Sequence, residues 1–394
     1  MKARAIEPAE FPWFDYHRYS FSLGLTHGDT VLLSGHSASE YDPDEGRIVV
    51  RGGMRDQART AYAKIDAILA AAGSSLGSAT RIVENVTAKG IDFYADAEAV
   101  RAQVLGDRRP AVNTVVVNHL LRPDALIEVE VTAGPEGEAL VLDDARPARA
   151  SAYRAGDVVY ISTIHPVDDS GAVVGAGDVV AQVEQIFLNL ERVLGALGLG
   201  MQNVVKTLEM IAPDGLADYK ATGPIRRQHL GPVYPAAAGI LQDRVAADDD
   251  ILISYDVIAS TSPPEAVNPG WDRYGKLTYS PAVRAGGTLF MSGQAALDPH
   301  TERAVHPGDI VAQTEYTYRN VIAVLEAAGL GPEDLVKTVE YVTPEGLERY
   351  RETAAVRRAL LGEPYPASTG IICRSLLRRE FTIEIDPMAI FPGE

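Results

Sequence analysis

Gly286-Gly-Thr-Leu-Phe-Met-Ser292 decides the fold, because its layout occurs three times in the chain. Its counterparts are Gly28-Asp-Thr-Val-Leu-Leu-Ser34 and Gly156-Asp-Val-Val-Tyr-Ile-Ser162. Each reads as a turn glycine followed by an apolar strand that ends in Ser, six residues after the Gly. Downstream landmarks hold the same register. A helix runs from Gln57 to Gly73, Gln182 to Gly198 and Gln313 to Gly329, sixteen residues each time. Val321, Val324, Leu325 and Ala328 fall on one helical face, and the terminal Gly fits a C-cap. Eleven residues past that Gly stands Glu84, Glu209 or Glu340 on a strand, and twenty-six past the Glu comes Pro110-Ala111, Pro235-Ala236 or Pro366-Ala367. A second helix fits between them. The closing strands are Ala125-Leu-Ile-Glu-Val-Glu-Val, Ile251-Leu-Ile-Ser-Tyr-Asp-Val and Phe381-Thr-Ile-Glu-Ile-Asp.

Chance similarity of amphipathic segments does not keep three spacings in three copies, so the chain is a tandem repeat. Each unit reads β-hairpin, helix, strand, helix, strand, strand: an α+β layout with helices on one face of a sheet. The units span 1–135, 147–260 and 271–394, joined by the Pro-rich segments at about 134–147 and 260–270.

Composition bounds the partners. The 394 residues carry 36 Lys+Arg against 54 Asp+Glu, a formal charge of -18. Such a surface repels polyanions, so neither nucleic acid nor a membrane is expected as a partner. The single cysteine, Cys373, excludes internal disulfides and multi-thiolate zinc sites, and lies in an apolar strand as a core residue. The eight histidines show no HxH or HExxH spacing, so no metal or other cofactor is expected. The N-terminal stretch has no apolar leader core, and no apolar run approaches membrane-spanning length, which makes the cytoplasm the default compartment. Gly171 to Gly177 lacks the Lys of a phosphate loop.

In the third unit, Tyr279-Ser-Pro-Ala, Phe290-Met-Ser-Gly-Gln294, Asp298, Gln313, Asn320, Leu325-Glu-Ala-Ala-Gly329, Asp334-Leu-Val-Lys-Thr338, Tyr365-Pro-Ala367 and Ile383-Glu-Ile-Asp386 resemble the YjgF/RidA (Rid) family. The first two units share the skeleton with fewer matches. The resemblance implies three Rid-like (chorismate mutase-like) domains forming a pseudo-trimer within one chain. Sheets would form a central barrel with helices outside, and a ligand cleft would lie at each of three interfaces. The assembly expected is a monomeric pseudo-trimer, with a dimer as the alternative, acting on a small molecule.

Deaminating Rid enzymes hydrolyse imines and enamines, and their signature Arg clamps the substrate carboxylate. The matching positions are Val112, Ala237 and Ser368, so the clamp is absent. Arg244 and Arg374 lie further along the same strands. Either could enter a cleft, or alternation could turn it away. The family's water-orienting Glu is matched by Glu128 and Glu384, with Ser254 in the second copy. In a partly desolvated cleft such a carboxylate suits general acid–base work, the bland reading being an interface ion pair. Tyr279 matches the family's cleft Tyr, while the first copy offers Tyr19 two residues out of register and the second has Arg149. Ser34, Ser162 and Ser292 match the strand-end Ser, with Gly35-His36, Thr163-Ile164 and Gly293-Gln294 next in the chain. His36 and His119 suggest an ionisable first site, or are hydrogen-bonded structural residues. Glu340 and its repeats either line clefts or a wet centre, or make salt bridges between copies.

No GxSxG surrounds the strand-end serines. A three-repeat amidohydrolase of the cyanuric acid hydrolase type would need three Ser–Lys pairs, but Lys206 and Lys337 are matched by Arg81. Three readings fit these residues. The first is an imine, enamine or cyclic C–N hydrolase (a deaminase) with Glu384 or Glu128 activating water, and Tyr279, Ser292 and Gln294 orienting substrate. The second is a non-catalytic metabolite-binding or sensing protein, and the third a tautomerase or cyclase. Without the clamp, the substrate is expected to lack an α-carboxylate.

Overall fold

A computed structural model describes residues 2–142 and 148–393. Pro147, where the sequence predicts the second unit to begin, lies outside the described residues. Within each copy the hairpin, closing strand and two further strands keep one spatial order. In the third copy Ala282–Ala285 pairs with Thr288–Met291, which meets Ile383–Ile390, then Leu335–Val342, then Ala367–Ile372. Only the last pair is parallel, because the second helix makes the crossover between them. The segment between the first two units is not pure linker. Glu138–Leu140 adds an edge strand to Ala152–Ala155 of the second sheet.

The first helices are Met54–Ala71, Val179–Ala196 and Ile310–Ala327. Gly73, Gly198 and Gly329 adopt φ of 71°, 71° and 76°, the left-handed conformation that ends a helix most cheaply with glycine. The repeated Gln has a specific task. Gln313 donates to His306 O and to Glu380 O at 2.8 Å and accepts from Thr382 N at 2.7 Å, which ties the helix start to the loop entering the closing strand. Gln57 and Gln182 make the same three bonds.

Glu84, Glu209 and Glu340 anchor the helices to the sheet inside each copy. Glu340 accepts from Tyr318 and Tyr350 at 2.7 Å and from Arg357 at 2.8 Å, all within the third unit. Glu84 is held by Tyr62, Tyr94 and Arg101, and Glu209 by Tyr219 and Arg226. A buried carboxylate is tolerated where cation and phenols replace the lost water.

The copies meet around a pseudo-threefold axis, but the expected barrel does not close. Three separate sheets of seven, seven and eight strands surround the axis. At the axis their edges share, among the described residues, only the single β-bridges Ser22 to Ala367, Ala150 to Ala111 and Ser280 to Ala236. The next edge N–H groups are taken by serine side chains, which interrupt any continuing ladder. Short arms cross elsewhere: His119–Leu120 pairs with the third copy's Ala367–Ile372, and Ser375–Leu376 with the second copy's Ala236–Leu241.

Facing the axis is a cavity of about 110 Å³ lined by charges from all three copies. Lys206 of the second copy pairs with Asp386 of the third, and Lys337 of the third with Glu130 of the first at 2.6 Å. Arg81 of the first copy bonds Asn113 at 2.8 Å, and its charge acts on Asp256 of the second. These contacts run head to tail around the ring. Removing one member strands a buried charge, whereas removing both does not. Lys337→Met should therefore cost about 3–5 kcal/mol in urea unfolding monitored by Trp13 and Trp271 fluorescence, and adding Glu130→Leu should restore most of it. An equal loss in the single and double variants would contradict this role.

Candidate functional site

The three serines that end the repeated strands lie at the junctions, each joining two copies. Ser292 Oγ donates to Ser280 O at 2.5 Å and accepts from Ala237 N at 2.8 Å. Ser34 likewise holds Ser368 N at 2.7 Å, and Ser162 holds Val112 N at 2.8 Å. Each serine thus grips the backbone of the position where the resemblance expects an Arg. With donor and acceptor engaged inside the interface, all three are buried and do not face a cleft.

The residue after each serine separates the copies. Gly35 and Gly293 interrupt the strand, and a Cβ on either would collide with the carboxylate of Glu128 or Glu384. In the second copy Thr163 replaces the Gly and Ser254 replaces the Glu. There Val158–Ile164 runs on as one strand, with Ile164 opposite Tyr255. Thr163 Oγ1 accepts from Thr114 N at 2.9 Å and donates to Asp256 at 2.6 Å. Glycine and carboxylate have gone together, and side-chain bonding takes their place.

The junction of the second and third copies holds a cleft of about 580 Å³. Glu384, Tyr279 and Gln294 of the third copy line it, facing Ala237, Ala238 and Gly239 of the second. Leu377, on the arm that crosses from the third copy, also lines it. Gly239 makes room for this arm, since a Cβ there would meet the Leu377 side chain at 2.9 Å. Burial pushes the Glu384 carboxyl up to about 8, with Asp386 adding to the rise and Lys206 opposing it. Burial likewise raises Tyr279. The Gly293 N–H donates to Ala237 O at 3.0 Å, so it is occupied rather than offered to a ligand.

Glu128 lies at the junction of the first and third copies. Burial pushes it up to about 8, with Glu130 adding and Lys337 and Lys64 opposing. Lys64, on the first helix, donates to Ser37 O at 2.7 Å and to Ser39 O, and lies 5.4 Å from the Phe14 ring centroid. Desolvation lowers it to about 7. Asn189 and Asn320 bridge the equivalent carbonyls in the other copies. His36 is buried against Phe11, its Nε2 3.2 Å from Leu23 O, and burial lowers it to about 3, so it is neutral.

The remaining residues singled out from the sequence lie elsewhere. His119 is exposed on the crossing arm. Arg374 pairs with Asp243, and Arg244 with Asp92 and Asp249, as partly exposed bridges between or within copies. Glu340 is fully engaged in its own copy's ion pair. Sequence reasoning missed the segment Trp271, Arg273 and Tyr274, which lines the same cleft as Glu384. Its signal is the aromatic-rich stretch after Asn268-Pro-Gly, which reads as the end of a linker.

Known proteins resemble this chain one unit at a time. A family model described as endoribonuclease L-PSP matches residues 16–134, 145–255 and 274–391. A RutC family protein of Pyrococcus horikoshii is 32% identical over 134 residues, covering 34% of this chain and 96% of that protein. The 2-iminobutanoate/2-iminopropanoate deaminase of Escherichia coli is 30% identical over 135 residues, covering 34% of this chain and 95% of that protein. A solved chorismatase structure covers 79% of this chain and 93% of its own, at a TM-score of 0.53 and 18% identity, a likeness of fold. No helix among the described residues is long and apolar enough to cross a membrane.

The raised carboxyl groups couple pH to stability. A carboxyl with a folded value near 8 and an ordinary value of 4.5 binds more protons folded than unfolded between those limits. Its contribution is therefore present at low pH and lost as pH rises through about 8. Urea midpoints should show this fall between about pH 5 and 8. Glu128→Gln with Glu384→Gln should flatten it, and an unchanged slope in that double variant would contradict the burial assigned to both groups.

Proposed function

The chain belongs to the endoribonuclease L-PSP (Rid) family, carrying three tandem copies of its domain, and we propose that it hydrolyses the C=N bond of a small imine or enamine in the cleft between its second and third copies. The carrying observation is the meeting of Glu384, Tyr279 and Gln294 in one roomy cleft, with the carboxyl raised to about 8. The names of the mouse and Escherichia coli relatives, 2-iminobutanoate/2-iminopropanoate deaminase, support the reaction class.

The chemistry rests on a carboxyl that is protonated at neutral pH. Glu384 gives its proton to the imine nitrogen, making the carbon electrophilic, or to the enamine carbon, making the same iminium. The carboxylate so formed takes a proton from water as the water oxygen bonds to that carbon. The product is a carbinolamine, and Glu384 is again protonated. A second donation, now to the amino nitrogen, lets ammonia leave. The hydroxyl proton returns to Glu384 as the carbonyl forms. Tyr279 and Gln294 orient the substrate, while Ser292 acts from behind by fixing the facing strand. Glu128, with its own glycine at the first and third copies' junction, is a second carboxyl of the same kind. The second copy's junction, with Ser254 and Thr163, carries no such acid.

Imines generated in the assay by an L-amino-acid oxidase from aromatic amino acids supply the test, with ammonia release as the readout. Glu384→Gln should lower kcat by about a hundredfold or more while binding survives. Glu128→Gln should keep most of the activity. The wild-type rate should fall as pH rises through about 8, because the proton-donating form is lost there. Little acceleration is expected with three-carbon 2-aminoacrylate, since Val112, Ala237 and Ser368 replace the clamp. Full activity in Glu384→Gln would overturn its role as the acid, and binding without turnover of any imine would favour a binding protein instead.

A further inference from the structure

We propose that Arg273 forms an anion subsite in the cleft between the second and third copies, and that the ligand it takes is a carboxylate on a ring-sized apolar body. This rests on the reading of that cleft as the active site and extends it to the substrate class.

Arg273 sits on the short helical segment Asp272–Lys276, ahead of the hairpin and on a different element from the family's clamp position. Its guanidinium lies 4.9 Å from the Tyr274 ring centroid, a cation–π contact at the cleft wall. The Tyr274 and Tyr279 phenols use part of its hydrogen-bonding capacity. Its Nε is buried without a hydrogen-bond partner. Among the described residues it makes no ion pair, whereas Arg226 and Arg378, which also line the cleft, are taken by Glu209 and Glu380. A guanidinium in a cavity wall that carries no ion pair is the group that a planar carboxylate meets with charge-assisted hydrogen bonds.

Charge and shape point the same way. The protein as a whole is at -18, yet this cleft is lined by six cationic side chains against two carboxyls, Glu209 and Glu384. Glu209 is neutralised within its own ion pair, and Glu384 holds a proton to about 8. A cavity of one sign within a surface of the other focuses anionic ligands inward. The phenol of Tyr279 bonds Arg273 and feels the Glu384 carboxyl, so it neighbours both groups in the cleft. Arg273 does not figure among the charges acting on Glu384. A ligand spanning them would present its carboxylate to Arg273 and its reacting carbon to Glu384. The volume of about 580 Å³ exceeds what a three-carbon acid fills, and Tyr274, Leu277, Leu377 and Phe381 supply apolar walls.

The clamp lost at Ala237 is thus replaced from another element, and the expectation of a substrate without a carboxylate does not follow from that loss. In the first copy Asp15 stands to Trp13 as Arg273 stands to Trp271, so that cleft has no such cation there.

Benzoate titrated calorimetrically into the full-length protein, with benzamide as the neutral counterpart, tests the subsite. Benzoate should bind at millimolar concentration or better, more weakly as salt rises, and better than benzamide. Arg273→Gln should weaken benzoate about tenfold or more while leaving benzamide alone. Arg273→Lys, which keeps charge and bulk, should recover part of the loss and guards against a folding defect. No benzoate binding by the wild type, or equal binding by Arg273→Gln, overturns the proposal. Glu384→Gln should bind benzoate normally. Benzoate binding through Arg273 with no imine turnover would therefore sink the hydrolase reading and leave the subsite standing, while turnover indifferent to Arg273 would do the reverse.

Discussion

An open sheet edge is the constraint on which this molecule depends. In every copy the last parallel strand, Ala111–Val117, Ala236–Leu241 or Ala367–Ile372, would end its sheet with unpaired backbone groups. Buried backbone groups must find partners. They find them in the next copy: the Pro110, Pro235 and Pro366 carbonyls accept from Ala150, Ser280 and Ser22, and the strand-end serines accept the N–H groups two residues on. The Pro-Ala and Gly-to-Ser landmarks are the two halves of one junction. A single domain of this kind cannot satisfy its edge alone, and the tandem chain supplies the neighbours by covalent linkage. The axial charges depend on the same junctions, since Lys206 and Lys337 reach their carboxylates only across one.

Because the junctions are built from backbone and serine, the cleft linings beside them are free to differ. The difference is coupled rather than random. A Glu on the closing strand needs a Gly opposite, since any side chain would occupy the carboxylate's space. The second copy lost both and filled the gap with Thr163, which bonds across to Thr114. Restoring Glu at 254 alone would therefore place a carboxylate against Thr163 and rebuild no site. The same logic explains why Lys64 could replace the Asn of the other two first helices. Both side chains donate to the same pair of strand carbonyls, but the ammonium adds a charge beside Glu128.

Spacing makes the repeat and the α+β order readable, because buried periodicity and glycine caps leave marks at fixed intervals. The roles of the repeated polar residues are less legible. Glu340 looks free to face a cleft because its partners, Tyr318, Tyr350 and Arg357, lie on helices whose angle to the strand no spacing reveals. Ser292 looks like a cleft residue because its two partners belong to different copies. The barrel is an inference by analogy, and whether neighbouring edges share one ladder depends on hydrogen bonds that alternation does not encode. Glu384 and Tyr279 are legible because their positions are fixed by the closing strand and the hairpin. Arg273 is hidden because it lies on an irregular segment just before the hairpin, where pattern carries least information.

The electrostatics of the open cleft are set from the axis outward. Glu384 and Asp386 alternate on one strand, two residues apart, so both lie on the same face. Asp386 pairs with Lys206, which opposes the rise that burial gives its carboxyl, and any charge on Asp386 adds to the rise of Glu384. Two adjacent carboxylates cannot both be charged cheaply in a desolvated place. The ion pair that holds the second and third copies together therefore favours the charged form at Asp386 over Glu384, since Lys206 bonds the former directly. The junction that completes the sheet edge thus also acts on the raised carboxyl beside it.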